Sequence, residues 1–130
     1  MNHIVFILLM LIALQDPSFD EQTIYGSWKW AESSGGLLGN TLTPENINSS
    51  RKIVFTKDHV YMFYVKDSLA LRQNYQIQNE KTIFSFESQP VLRISGLSKT
   101  QSILMTGKDT LRLKDNVYDG YVHLYVKMPE

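Results

Sequence analysis

The sequence predicts an all-β protein: an antiparallel up-and-down meander of eight or nine strands closed into a barrel. Three observations carry that expectation. Beyond the first fifteen residues the dominant hydrophobic period is two, the mark of half-buried antiparallel strands. Turn chemistry recurs at short intervals between the alternating runs. No stretch holds the helical period of a long amphipathic helix. An open meander leaves two unpaired edges, and closure removes both. At 130 residues the chain suits one domain with one core.

Taken in order, the first element is not a strand. Ile4 to Leu14 ("IVFILLMLIAL") is an unbroken apolar run, shorter than the roughly 20 residues a membrane-spanning helix needs. It matches the apolar centre of a signal peptide; the alternative is a retained, buried segment. The expected organisation is a signal peptide over 1–15, a linker over 16–23 and the barrel over 24–130. The product would be exported, periplasmic or secreted, and not a stable transmembrane protein. There is no cysteine, so disulfides, thiolate metal ligands and lipid attachment at a cleavage-site cysteine are all ruled out. An exported product is therefore expected not to be lipidated.

The first strand is predicted over 25–32, where "YGSWKW" places Trp28 and Trp30 two residues apart and hence on one face. Residues 33–50, "SSGGLLGNTLTPENINSS", break the rhythm as a long glycine-rich loop. Within it "TPEN" reads as a helical turn, with Thr43 as cap, Pro44 in the first turn and Glu45 at the positive end. Long loops in compact domains are commonly functional, so one reading makes this loop a lid with Leu37, Leu38 and Leu42 folded inward. The other makes the leucines a patch on the outer core.

Further strands are predicted over 51–57, 59–66, 69–78, 81–87, 91–96, 101–106, 109–115 and 120–128. Turns are expected at "KDH" (57–59), "QNEK" (78–81), "SQP" (88–90), "GLSKT" (96–100), "GKD" (107–109) and "DNVYDG" (115–120). In 69–78, Leu69, Leu71, Tyr75 and Ile77 share one face. Along 120–128, Val122, Leu124, Val126 and Met128 form an apolar face expected to point inward. Tyr121, His123 and Tyr125 then form an aromatic strip on the opposite side, either an outer contact surface or ordinary cross-strand pairing. The stretch 59–66 is apolar on both sides, so alternation does not choose its inner face.

Thirteen basic and thirteen acidic side chains cancel and are interspersed. No basic stripe of the kind that neutralises phosphates is present, and nucleic acid is not an expected partner. The three histidines show no metal-ligand spacing, no Gly-x-Ser-x-Gly elbow occurs, and "SSGGLLG" lacks the Lys-Ser/Thr of a phosphate loop. The sequence implies no catalytic residue, no metal and no cofactor, and the expected protein is not an enzyme.

"GSWKW" at 26–30, "SGG" and "TPEN" in the following loop, and "DNVYDGYVHLYVK" near the end resemble the lipocalin (calycin) superfamily, in particular the small secreted lipocalin-like proteins of Bacteroidetes-type bacteria. The resemblance implies a barrel closed at one end by Gly26, Trp28 and a cation packed over the indole. In lipocalins that cation is typically an arginine; here its place falls to Lys127. The implied function is binding of a small apolar or amphipathic molecule. Trp30, Met62 and Tyr75 are the candidate wall residues, with Leu37 and Leu38 in the lid. The alternative is a closed-core barrel that binds a protein through the glycine loop or the Tyr121/His123/Tyr125 strip. An interior below the roughly 300 Å³ typical of ligand pockets would favour the second.

Overall fold

The computed structural model describes residues 19–130. The expected leader and the first residues of the linker lie outside them. Nine strands follow: β1 (Gly26–Gly35), β2 (Asn40–Leu42), β3 (Arg51–Phe55), β4 (Val60–Val65), β5 (Ser68–Thr82), β6 (Ser85–Ile94), β7 (Gln101–Thr106), β8 (Thr110–Asp115) and β9 (Tyr121–Lys127). Except for β2, each strand from β3 onward pairs antiparallel with the next, β1 pairs with β3, and β9 returns to β1. Eight strands thus close an up-and-down barrel, and β2 is an extra strand on the far end of β1. No helix among the described residues is long and apolar enough to cross a membrane.

Period-two sequence becomes barrel because one face of each strand can be buried against all the others. Ile24, Trp28, Trp30, Ile53, Phe55, Tyr61, Tyr75, Leu92, Ile94, Ile103, Leu111, Leu113 and Tyr125 form the core. The segment expected as linker contributes to it. Glu21–Thr23 is a single 3-10 turn capped by the Asp20 carboxylate, and Phe19 packs against the core.

Two bulges set the phase of the walls. In β1 an extra residue, Ala31, falls between Trp30↔Tyr125 and Glu32↔Leu124. Trp30 and Ser33 both point inward as a result, which plain alternation forbids. In β5 an extra residue, Ala70, falls between the Phe63↔Leu71 and Tyr64↔Leu69 pairs. Leu71 turns in, and Leu69, expected on the same face, turns out and is exposed.

The structure reverses the expected faces of the last strand. Trp30 pairs with Tyr125 and Leu113 with His123, and directly paired residues share a face. With the tryptophans of β1 and the leucines of β8 inward, Tyr121, His123 and Tyr125 must be inward too. Val122, Leu124 and Val126 face out. Both faces of this strand carry apolar bulk, so the period alone could not decide; its two neighbours did.

The predicted loop 33–50 is in part a hairpin. Ser33–Gly35 pair with Asn40–Leu42 around a glycine turn, and Gly36 and Gly39 take positive φ, 74° and 66°. The expected helical turn follows: Thr43 Oγ1 accepts from the Asn46 N–H while Asn46 Oδ1 accepts from the Thr43 N–H. The turns predicted at 78–81 and 88–90 are absent, and the chain instead turns at Ile83 and Phe84, inside the strand expected over 81–87. Residues 85–94 form one strand that carries Pro90 in register with Asn79.

Candidate functional site

The end of the barrel where the chain enters is closed by stacked side chains. Trp28 is fully buried and its indole N–H donates to the Ile24 carbonyl at 2.8 Å. Lys127, paired with Trp28 across the closing seam, sets its ammonium 4.7 Å from the indole centroid and donates to the Tyr25 carbonyl. Gly26 has φ 117°, and a Cβ there would lie 2.5 Å from Lys127 Nζ. Glycine is what lets the lysine cross to the tryptophan. Beside them Tyr75 stacks edge-on against Phe55 at 5.2 Å, and its hydroxyl donates to the Thr56 carbonyl at 2.8 Å. Burial, with Tyr25 and Glu21 nearby, pushes the Tyr75 hydroxyl pKa well above its ordinary value.

Toward the other end the interior is polar, and a chain of hydrogen bonds runs through it. The Trp30 indole N–H donates to Ser33 Oγ at 2.8 Å, and Ser33 Oγ lies 2.6 Å from His123 Nδ1. His123 Nε2 lies 3.1 Å from Asp115 Oδ1, which also accepts from Gln101 at 2.9 Å, while Asp115 Oδ2 accepts from the Tyr121 N–H at 3.1 Å. Burial alone would raise the Asp115 pKa. The hydrogen bonds from His123, Gln101 and Tyr121 outweigh it, together with the imidazole charge, and hold the carboxyl at about 2.

A serine, a histidine and an aspartate are therefore in line, which the sequence had given no reason to expect. Ser33 is only 2% exposed and its oxygen already receives the Trp30 N–H. The chain of bonds ties β1, β7, β8 and β9 together at this end of the barrel. Arg51, inward at the start of β3, lays its guanidinium 4.7 Å above Trp30. Its Nε is buried and has no hydrogen-bond partner among the described residues.

The five residues expected to hold a ligand are not brought together. Trp30 and Tyr75 lie in the core with their polar atoms engaged. Met62 is on the outer face, a correction of its expected place on the inner wall. The inward row Ile53↔Phe63↔Leu71 fixes that phase, so the adjacent row Val54↔Met62↔Arg72 points out. Leu37 and Leu38 sit at the tip of the β1–β2 hairpin, 82% and 83% exposed, and are not folded inward.

A different site is built where the barrel wall parts. β5 is the longest strand, at 15 residues, and its far half forms an arm with β6. β6 holds β7 only through Val91↔Ser102 and Leu92↔Gln101, and from there back to Ser85 it pairs with β5 alone. The tip of this arm lies against the β8–β9 turn. The Ile83 N–H donates to Asn116 Oδ1 at 3.0 Å, the Phe84 ring meets Tyr118 edge-on at 6.4 Å, and Lys114 Nζ sits 3.8 Å from the Phe84 centroid. Arg93 holds Glu80 with two hydrogen bonds, 2.7 and 2.8 Å, across the two strands of the arm. Val91, next to the inward Leu92, is 2% exposed yet outside the barrel core, as a residue covered on its outer side would be.

Between arm and wall lies a pocket of about 500 Å³. Phe84, Pro90, Ile103, Leu104 and Val122 give it an apolar lining, and Gln89, Ser102, Arg112 and Lys114 supply the polar groups. Ser102, Lys114 and Val122 pair across neighbouring strands and face out. Ile103 reaches the pocket from the inner side, where the β6–β7 seam stands open. Sequence reasoning missed this site. The available signals were a proline in the middle of a strand-like run and the two cations Arg112 and Lys114 at alternate positions of β8.

No family model matches this chain, and neither a curated protein nor a solved structure matches it.

Proposed function

We propose that this protein is a non-enzymatic, lipocalin-like binding barrel, exported from the cell, that takes up a small apolar or amphipathic molecule. The ligand sits beneath the β5–β6 arm, not among Trp30, Met62 and Tyr75. One observation carries the reading: the pocket under the arm has about 500 Å³ and a mainly apolar lining with a few polar groups, within the range of small-molecule sites. By contrast, the large interior side chains Trp28, Trp30, Phe55 and Tyr75 are each no more than 1% exposed.

Native mass spectrometry of the full chain, expressed with its own N-terminus, tests this reading. A co-purified small molecule that disappears in Leu104→Glu and persists in Leu71→Trp supports the arm site. The reverse pattern returns the ligand to the barrel interior. No adduct, and no uptake of an added apolar dye, removes the ligand-binding reading.

Exposed apolar side chains favour a second reading, a barrel that binds another protein. Phe86 on the arm is 98% exposed, and Leu37 and Leu38 project from the hairpin. The Tyr121/His123/Tyr125 strip expected for that role is inside the barrel and takes no part in it.

A further inference from the structure

The charge of the pocket beneath the arm narrows the ligand class, an inference that rests on the binding reading above. Two cations, Arg112 and Lys114, line the pocket, and no carboxylate does. The ion pairs found among the described residues are His59–Glu21, Arg93–Glu80 and His123–Asp115, so neither pocket cation is neutralised by an acid. Arg112 is half-buried between Leu104 and Leu124, its partners on the adjacent strands. Its Nη1 donates to the Thr106 hydroxyl at 3.1 Å, which leaves other guanidinium N–H groups free. The flanking leucine side chains displace part of the water from this half-buried guanidinium, and a charge-assisted hydrogen bond to an anion gains from that.

Lys114 holds its ammonium over the Phe84 ring, so the second positive charge sits where the arm meets the wall. The apolar groups Pro90, Ile103, Leu104 and Val122 complete the lining. Cations gathered at an apolar surface complement a molecule with an acid head and a hydrocarbon body.

We infer that the pocket under the β5–β6 arm binds an amphipathic carboxylate, its head between Arg112 and Lys114 and its hydrocarbon chain against Leu104, Ile103 and Pro90. Arg112 is half-buried and Lys114 exposed, so salt screens the lysine more than the arginine, and the head group is recognised by hydrogen bonds as well as by charge.

The test is calorimetric titration of the full chain with laurate, 1-dodecanol and dodecylamine, matched in chain length and different only in head group. The wild-type protein should bind one laurate about tenfold or more tightly than dodecanol, and dodecylamine most weakly. In Arg112→Gln/Lys114→Gln, laurate should fall to the affinity of dodecanol while dodecanol is unchanged. Neither residue belongs to the core, and an unaltered thermal midpoint checks the fold.

Equal affinity of wild type for laurate and dodecanol overturns the acid head group and leaves the pocket. Preference for laurate that survives the double substitution overturns the assignment to Arg112 and Lys114. Failure of all three probes to bind overturns the binding reading, and this inference with it.

Discussion

Replacing Asp115 by asparagine should remove an identifiable part of the acid sensitivity of this fold. In the folded protein the carboxyl is held at about 2 against an ordinary 3.8, because three donors and the His123 charge outweigh the effect of burial. A folded-state pKa below the unfolded one stabilises the protein above the unfolded value, and the gain is lost as pH falls through the folded value. The window therefore runs from about pH 4 down to about pH 2. At about 1.4 kcal/mol per pH unit the full difference is about 2.4 kcal/mol. The Asp115 side chain keeps 15% of its surface exposed, and solvent screening reduces the figure to about 1–2 kcal/mol.

The substituted amide would retain an acceptor for Gln101 or Tyr121 but could not titrate. Urea unfolding followed by tryptophan fluorescence at several pH values between 2 and 6 measures the effect. The wild type should lose about 1–2 kcal/mol more than Asp115→Asn between pH 4 and pH 2. Parallel curves for the two proteins would mean that the Ser33–His123–Asp115 chain does not stabilise the charged carboxylate, and the account of this end of the barrel would fail.

Three further outcomes follow from the geometry. Gly35→Ala should cost at least about 2 kcal/mol in a thermal melt, since φ is 132° and the new Cβ would lie 2.6 Å from the Gly120 carbonyl oxygen. Gly39→Ala, also at positive φ but with no atom within 4 Å, should cost only about 1 kcal/mol. Lys127→Met keeps the apolar stem but loses the cation over Trp28 and the bond to the Tyr25 carbonyl. A loss of about 1–2 kcal/mol with altered tryptophan emission is expected, and unchanged stability would remove the lysine from the closure of the barrel. Burial raises the hydroxyl pKa values of Tyr61, Tyr75 and Tyr125, so their contribution is complete below pH 10 and is lost above it. Phenolate absorbance on alkaline titration should show these three ionising only as the protein unfolds.

The fold was legible because its evidence is periodic. Alternation in β5, β8 and β9 and the turn residues between strands yield a closed meander without any long-range information. What alternation lacks is an origin, and each strand face that was misplaced traces to that. Ala31 and Ala70 shift the phase by one residue. An alanine bulge has no compositional mark, so the inward turn of Ser33 and the outward turn of Leu69 were hidden. In β9 both faces carry apolar bulk, and only pairing with Trp30 and Leu113 selects the tyrosine face. Met62 was misplaced for the same reason. The hydrogen-bonded chain from Trp30 through Ser33 and His123 to Asp115 joins residues as far as ninety positions apart, beyond the reach of spacing. The arm was partly visible, since Pro90 interrupts a strand-like run, but it was read as a turn.

Pro90 is the residue on which the pocket turns. A proline within a strand is tolerated where the side that should offer its N–H has no partner. The β5 ladder passes Pro90 without a break, so the free side is the one toward β7. There the β6–β7 ladder ends after Val91↔Ser102. Without a donor at residue 90 the seam cannot zip further, and the arm is free to bend back over Ser102, Lys114 and Val122. Pro90→Val restores the N–H and adds a β-branched residue suited to a strand. The seam should then extend toward Leu104, and hydrogen exchange would report new protection at β7 amides. Binding of an apolar dye should weaken as the pocket narrows, while the barrel core stays intact. If β7 protection is unchanged and the dye binds as before, the parting of β6 from β7 is set by the arm-tip contacts at Asn116 and Tyr118, and the proline merely accommodates it.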